Sequence, residues 1–372
     1  MNDLLPPLVS DGQIVASVNG CLGLITLNRP QALNALSLGM VRDITTLLQH
    51  WASRPEIQAV AVLGAGREGK PPAFCAGGDI RFFHQAAHAG DASLEDFFTE
   101  EYRLNHLIHA YPKPYIALMD GIVMGGGMGI SQGAKLRVLS DRSKLAMPET
   151  GIGLFPDVGG GYFLAQCPGH VGEWMALTGH AIAAGDAIEW GLGDVYVPAA
   201  QWPDLVAALT TRPQPTAEHV VATVMERADL APASDPKAAA ERIDRHFGAA
   251  SVAEILASLD AAGDDWARDT AQTLRKRSPV MMAVALELVR RGRHLSLAED
   301  LRLERDLVHH SFHLRGGATE SETVEGIRAL AVDKDHAPRW RPGNVADVDP
   351  AEVARFFVSP WAAAEHPLKD LK

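Results

Sequence analysis

The chain has 372 residues, 47% hydrophobic and 22% charged, enough apolar material for a sizeable core, which excludes disordered, collagen-like and fibrous classes. Lys and Arg number 34 against 46 Asp and Glu, a formal net charge of −12, the wrong sign for a non-specific nucleic-acid binder. Three cysteines, Cys21, Cys75 and Cys167, are too few and too scattered for a disulfide framework or a Cys-x-x-Cys zinc site, which points to a reducing compartment. The opening Met-Asn-Asp-Leu-Leu-Pro-Pro reads neither as a signal peptide nor as a transit peptide. The longest apolar stretch, around Pro279 to Leu286, is shorter than the ~18 residues of a membrane span. These features predict a soluble, cytoplasmic protein with no membrane partner.

In chain order, Ile14 to Leu27 predicts a hairpin turning at Asn19-Gly20. Ser37 caps a helix to about Trp51, with Met40, Val41, Ile44, Leu47 and Leu48 at helical spacing. Gln58 to Leu63 reads as a buried strand, followed by a Gly- and Pro-rich loop into Phe74-Cys75-Ala76-Gly77-Gly78-Asp79 and then a helix. A helix over Ser93 to Ala110, a strand over Pro114 to Met119, the run Gly125-Gly126-Gly127 opening a helix, and a strand over Leu136 to Ser140 complete an alternating α/β pattern. Beyond Trp202 the texture is helical, with Pro203, Pro213, Pro215 and Pro232 punctuating a linker-like stretch. The expected division is a core over 1–200 and a mainly helical region over 201–372.

Two motifs imitate sites. Gly64-Ala65-Gly66-Arg67-Glu68-Gly69-Lys70 starts like a phosphate-binding loop, but Pro71 stands where a Ser or Thr should hold Mg²⁺. Gly129-Ile130-Ser131-Gln132-Gly133 matches a nucleophile elbow, yet the turn comes earlier, at Gly125 to Gly127, which puts Ser131 inside a helix. His84 and His88, and the cluster His309, His310 and His313, lack a His-Glu-x-x-His pattern and read as solvated or core residues, so no metal is expected.

The glycines at 77, 78 and 125 to 127 fit a different demand, backbone N–H groups aimed at an oxyanion. Two tight turns without a ligand explain them equally well. Between Ala146 and Gly161, Glu149 and Asp157 stand among Met, Ile, Leu, Phe and Val, surroundings that raise a carboxyl's pKa and ready it for acid–base or nucleophilic work.

At these residues the chain resembles the crotonase superfamily, the enoyl-CoA hydratase/isomerase group. The resemblance rests on Asn28-Arg29-Pro30 with Asn34-Ala35-Leu36, on Phe74 to Asp79, Met124-Gly125-Gly126-Gly127, Met147-Pro148-Glu149-Thr150 and Leu154 to Gly161. Glu325-Gly326-Ile327-Arg328-Ala329 and Asp333-Lys334-Asp335, with Pro338 and Trp340, resemble the C-terminal signature of its hydrolase branch. The resemblance implies a crotonase-like ββα spiral whose helical C-terminal region covers the acyl site. It implies an oxyanion hole from the N–H groups of Ala76 and Gly126, with Glu149 and Asp157 as catalytic acids. Glu101, Gly77, Gly78, Asp79, Gly125, Arg29 and Ala35 are the implied substrate-binding positions. Gly129 stands where hydratases carry a second catalytic Glu, so the branch implied is the hydrolase one. Its reaction is hydrolysis of a short β-hydroxyacyl-CoA thioester, 3-hydroxyisobutyryl-CoA before others, in valine breakdown, with no cofactor beyond the CoA of the substrate. A hydratase or isomerase of the same fold, a Ser131 hydrolase and a non-catalytic acyl-CoA-binding protein are the rival readings, and a homo-oligomer is compatible with all of them. The phosphates of CoA then need local cations on an acidic protein, for which Arg29 and the run Arg275, Lys276 and Arg277 are expected.

Overall fold

The computed structural model describes residues 4–67, 69–70, 73–232 and 235–372. Its strands are β1 (Ile14–Asn19), β2 (Leu22–Leu27), β3 (Ala59–Gly64), β4 (Tyr115–Met119), β5 (Ile122–Met124), β6 (Leu136–Leu139), β7 (Lys144–Ala146) and β8 (Val195–Tyr196). β1 and β2 pair antiparallel as the expected hairpin, but Asn19 still pairs with Leu22, so the two-residue loop is Gly20-Cys21, one residue later than Asn19-Gly20. From β2 the sheet continues parallel through β3, β4, β6 and β8. Parallel strands are covered on both faces and therefore read as unbroken apolar runs, as in Tyr115-Ile116-Ala117-Leu118-Met119, where all five residues are buried. The short strands β5, β7 and β8 were not legible in the sequence.

The chain divides into two compact units, and each takes segments from both sides of residue 200. The first comprises residues 1–78, 103–145 and 182–235 and holds the six-stranded sheet. Its Leu38–Ala52 helix starts at Ser37, whose side chain accepts from Met40 N, and buries Met40, Val41, Ile44, Leu47, Leu48 and Trp51. The stretch expected to be linker-like is instead part of this core. Helices Trp202–Thr211 and Ala217–Met225 pack Trp202, Leu205, Leu209, Val220 and Val224 against Leu22, Leu24, Ala61, Ile116 and Leu118 of the sheet. Pro203 misled because it sits in the first helical turn, where its missing N–H costs nothing.

The second unit comprises residues 79–102, 146–181 and 236–372 and is helical. The Pro279–Gly292 helix is central, with ten buried residues. Leu297–His313 follows behind a capping box in which Ser296 and Glu299 satisfy each other's backbone N–H groups.

Candidate active site

The glycine loops lie in the first unit. After β3, Cys75 pairs with Val123 of β5: Cys75 N donates to Ile122 O at 3.0 Å, and Met124 N donates to Cys75 O at 3.0 Å. Gly125 then takes φ 50, ψ −121, a conformation that side chains exclude, and the Gly126–Gln132 helix begins. At Gly127 a Cβ would stand 2.3 Å from the Cys75 carbonyl oxygen, so only glycine lets this helix approach the preceding loop. Gly126 N opens the helix and has no intrahelical acceptor. It lies 3.7 Å from where a Cβ on Gly77 would be.

One expected donor is corrected. The N–H of Ala76 donates to the Leu33 carbonyl at 3.0 Å, so its hydrogen is spent inside the first unit. Further along the turn, the half-exposed Gly78 has an N–H with no acceptor among the described residues. Arg29 and Ala35 belong to the scaffold beneath this loop. Asn34 accepts from Arg29 N at 2.9 Å and donates to the Ala65 and Ala73 carbonyls, while Arg29 Nη1 donates to Ala35 O at 3.1 Å. Ser131 is buried and helical, donating to the Gly127 and Met128 carbonyls at 2.8 and 3.1 Å; it is no exposed nucleophile. Of the phosphate-loop look-alike, Glu68, Pro71 and Pro72 lie outside the described residues.

The acids lie in the second unit, where Asp79 caps the Ile80–Ala89 helix by accepting from Arg81 N and Phe82 N. Glu101 and Tyr102 sit in the helix Ser93–His109, Glu149 opens the 3₁₀ turn Glu149–Ile152, and Asp157 follows in the next loop. Glu101 is 2% exposed, Glu149 and Asp157 5% each, so all three carboxyls are shielded from water. Tyr102 Oη donates to Asp157 Oδ2 at 2.9 Å. Glu101 Oε1 and Glu149 Oε2 are buried with no partner among the described residues. Burial lifts Glu149 well above the usual carboxylate range, and the nearby Asp157 charge adds to it. Glu101 is lifted in the same sense by burial, then by Asp157 and Glu149. Asp157 rises only to about 6, because the Tyr102 hydrogen bond and its own backbone favour the anion against burial. Glu149, Asp157 and Glu101 thus lie in one buried cluster of the second unit, near enough for their charges to act on one another.

The helix that leads into the C-terminal signature supports the Glu149 turn. In the Glu322–Ile327 helix, Thr323 Oγ1 donates to the Gly153 carbonyl at 2.7 Å, and Glu322 receives Ser278 Oγ at 2.7 Å. Ser278 N in turn donates to the Thr150 carbonyl at 3.0 Å. Arg328 binds Glu325, Asp333 and Asp335 together, which fixes the chain that follows this helix.

A second buried acid pair was missed by sequence reasoning. Asp300 and Glu304, on the Leu297–His313 helix, have no solvent exposure and dock onto the Gly159-Gly160-Gly161 run. Glu304 accepts from Gly159 N at 2.7 Å and Gly161 N at 3.0 Å, and Asp300 accepts from Tyr162 N at 2.9 Å. Their i,i+4 spacing among charged neighbours looks like a solvated helix face; only the facing glycines hinted at a docking partner.

The expected cation cluster is largely committed. Arg277 is half-buried and donates through Nε to the Thr178 carbonyl at 3.0 Å, and Arg275 pairs with Asp260 at 2.7 Å. The exposed Lys276 offers its backbone carbonyl to Trp340 Nε1 at 3.1 Å. Among the histidines, His309 and His313 surround Glu95 Oε1 at 3.2 and 2.9 Å while Arg305 pairs with its other oxygen. Burial raises the Glu95 carboxyl, but hydrogen bonds from the two histidines and the Arg305 guanidinium outweigh it and hold Glu95 below the usual carboxylate range. No helix among the described residues is long and apolar enough to cross a membrane.

A family model described as enoyl-CoA hydratase/isomerase matches residues 22–357. The chain is 40% identical over 357 residues to the mitochondrial 3-hydroxyisobutyryl-CoA hydrolase of Xenopus tropicalis, covering 94% of this chain and 90% of that protein. It is 36% identical over 358 residues to the protein of the same name from Homo sapiens, covering 93% and 89%. Two solved structures are similar: a carnitinyl-CoA dehydratase from Mycobacterium thermoresistibile, with TM-score 0.84 and 39% identity over 93% of this chain and 96% of that one, and an enoyl-CoA hydratase from Rhodobacter sphaeroides, with TM-score 0.84 and 39% identity over 94% and 98%. The α/β fold of crotonase type therefore stands. The expectation of a cytoplasmic protein is overturned, because these hydrolase relatives are named mitochondrial; cysteine number and an opening heptapeptide were too little to fix a compartment.

Proposed function

The chain belongs to the enoyl-CoA hydratase/isomerase family, and from that premise we propose that it is an acyl-CoA thioester hydrolase, acting on 3-hydroxyisobutyryl-CoA to give 3-hydroxyisobutyrate and CoA in valine breakdown. Relatives of that name at 36–40% identity over nearly the whole chain support this substrate. The similar solved structures carry dehydratase and hydratase names, but adding water across a double bond in this family takes a second glutamate at the position of Gly129. The observation that carries the hydrolase reading is Glu149: a buried carboxyl with an unpartnered oxygen, within reach of the Asp157 charge, with glycine at 129.

In the proposed reaction the thioester carbonyl oxygen receives the N–H groups of Gly126 and, in place of Ala76, Gly78. Each such donor typically lowers the barrier by about 3 kcal/mol. Glu149 acts at the carbonyl carbon, by activating water or by direct attack, and its raised pKa makes it the stronger base. Asp157, held by Tyr102, orients the substrate hydroxyl and shares the proton, with Glu101 beside it. This chemistry draws on amides, carboxyls and water, and coenzyme A enters as part of the substrate.

The test is steady-state thiol release from 3-hydroxyisobutyryl-CoA by the wild type, Glu149→Gln and Asp157→Asn. Losses of about 10²- to 10⁴-fold in kcat are expected in both variants. Unchanged turnover in both sinks the assignment, as does loss of enoyl absorbance from crotonyl-CoA without free thiol.

A further inference from the structure

The histidines of the Leu297–His313 helix take no part in the proposed reaction, yet two of them meet a carboxylate. His309 and His313 stand one helical turn apart and share a face. Glu95, 214 residues before His309 and near the start of the Ser93–His109 helix, places Oε1 against both rings. His309 Nδ1 lies 3.2 Å from that oxygen and His313 Nε2 2.9 Å. A His-Glu-x-x-His helix presents two metal-binding histidines at this same spacing. Here the spacing is combined with a carboxylate from a second helix, an arrangement that no single-segment motif reveals.

The surroundings hold this geometry. The buried Arg305 pairs with the other Glu95 oxygen, donates to Thr99 Oγ1 at 2.9 Å and lies 4.8 Å from the centre of the Trp361 ring. Oε2 is thereby engaged and Oε1 left to the histidines, as an outer hydrogen bond orients a ligating carboxylate. Trp361 also packs against the His309 ring, with centroids 4.9 Å apart. Nitrogen and oxygen ligands about 2.0–2.1 Å from a tetrahedral ion stand about 3.3 Å from one another, close to both nitrogen–oxygen separations. All three ligand atoms lie within 4.8 Å of one another, so the ring nitrogens need approach by at most about 1.5 Å. Side-chain rotation of two partly exposed rings supplies that. Among the described residues no other trio of His, Cys, Asp or Glu gathers in this way.

We propose that Glu95, His309 and His313 are the three protein ligands of a Zn²⁺ site, with water completing the tetrahedron. Two imidazoles and one carboxylate suit Zn²⁺, whereas Mg²⁺ and Ca²⁺ take oxygen ligands. Each ring binds through the nitrogen that faces Glu95 and carries its hydrogen on the other nitrogen. Without metal, ring N–H groups turned to Oε1 take the place of the ion. The ion clips the Ser93–His109 helix to the Leu297–His313 helix. Glu95 and Tyr102 are two helical turns apart, about 10 Å along the axis, so the clip restrains the helix that carries Glu101 and Tyr102 without meeting the reacting atoms. Its role is to stabilise the fold, and it stands independently of the thioesterase reading.

The test uses the full chain, stripped with a chelator and titrated with Zn²⁺ in a calorimeter. The wild type binds one equivalent. His309→Gln and His313→Gln each weaken that binding by more than about 100-fold, and Arg305→Lys, which loses the planar fork on Glu95, by about 10-fold. His84→Gln, from the other histidine pair at this spacing, leaves the affinity unchanged. Zn²⁺ at a hundredfold of Kd raises the wild-type melting midpoint by about 3 °C and leaves that of His313→Gln in place. Co²⁺ substituted for Zn²⁺ gives the visible absorption of a four-coordinate site, lost in both variants of the Leu297–His313 helix. Cooperative melts of the metal-free variants show that the substituted chains fold. A wild type that binds no Zn²⁺, binding that survives both substitutions at 309 and 313, or an equal loss in His84→Gln overturns the site. Thiol release, followed on the same preparations, decides the thioesterase reading separately.

Discussion

Tyr102 Oη donates a 2.9 Å hydrogen bond to Asp157 Oδ2, with both side chains buried in the second unit. The bond opposes the effect of burial and leaves Asp157 at about 6, between a surface carboxylate and a fully suppressed one. Two carboxyls with different set points, Glu149 high and Asp157 intermediate, are the pattern by which a site keeps an acid and a base at one pH.

Removing that donor should therefore be visible in the pH dependence. In Tyr102→Phe the anion loses its stabilising partner and the pKa of Asp157 rises. The acid limb of kcat then moves up by about one pH unit, since hydrogen bonds to charged groups are worth about 1.5–3 kcal/mol and one unit about 1.4. A pH profile of thiol release checks this; an unmoved limb means that Asp157 is not the group titrating there.

Glu101 gives the corresponding stability prediction. Its folded pKa lies well above 4.5 through burial, then Asp157 and Glu149, so the folded state binds the proton more tightly than the unfolded chain. Stability is then lost as pH rises from the ordinary glutamate range through the raised folded value. Glu101→Gln escapes that loss. It should be more stable than wild type by about 1–2 kcal/mol at pH 8 and indistinguishable from it near pH 4, as urea melts at the two pH values would measure, and its kcat should be lower.

Much of this was legible in the sequence where a residue's chemistry is local. Ser37 as a cap, the β1–β2 hairpin to within one residue of its turn, and the parallel strands as apolar runs follow from spacing alone. Glu149 and Asp157 stood out because acids rarely sit in apolar segments. The direction of a single amide was not legible: whether Ala76 or Gly78 offers its N–H depends on the peptide planes of a turn, and Leu33, far back in the chain, takes the Ala76 hydrogen. Asp300 and Glu304 were hidden for the opposite reason, since acids at i,i+4 on a charged helix look the same from sequence whether they face water or glycine amides.

The glycine at 127 is a packing requirement with a catalytic consequence. A Cβ there would meet the Cys75 carbonyl oxygen at 2.3 Å and Cys75 Cβ at 3.0 Å. Both lie on a buried segment that cannot rotate away, so in Gly127→Ala the helix start must shift. Overpacking of this kind costs about 1–3 kcal/mol, measurable as a lower urea midpoint. Moving the adjacent Gly126 amide should also lower kcat by at least about 10-fold with a smaller change in KM. Loss of stability with kcat intact would remove Gly126 N–H from the reaction.

The net charge of −12 returns in the last prediction. An anionic CoA substrate needs local cations, but Arg277 spends its guanidinium on the Thr178 carbonyl and Arg275 is paired with Asp260. Arg275 and Lys276 are both exposed, and Lys276 is the one with no ion pair among the described residues, its backbone carbonyl tied to Trp340. Arg277→Ala should therefore lower stability by about 1–3 kcal/mol, leaving the Thr178 carbonyl without its donor, and barely alter the salt dependence of KM. Lys276→Glu should leave the melting midpoint alone, raise KM about two- to fivefold at low ionic strength and lose that effect as salt screens it. Michaelis constants over an ionic-strength series decide it: a Lys276→Glu variant identical to wild type at low salt removes this helix end from substrate capture.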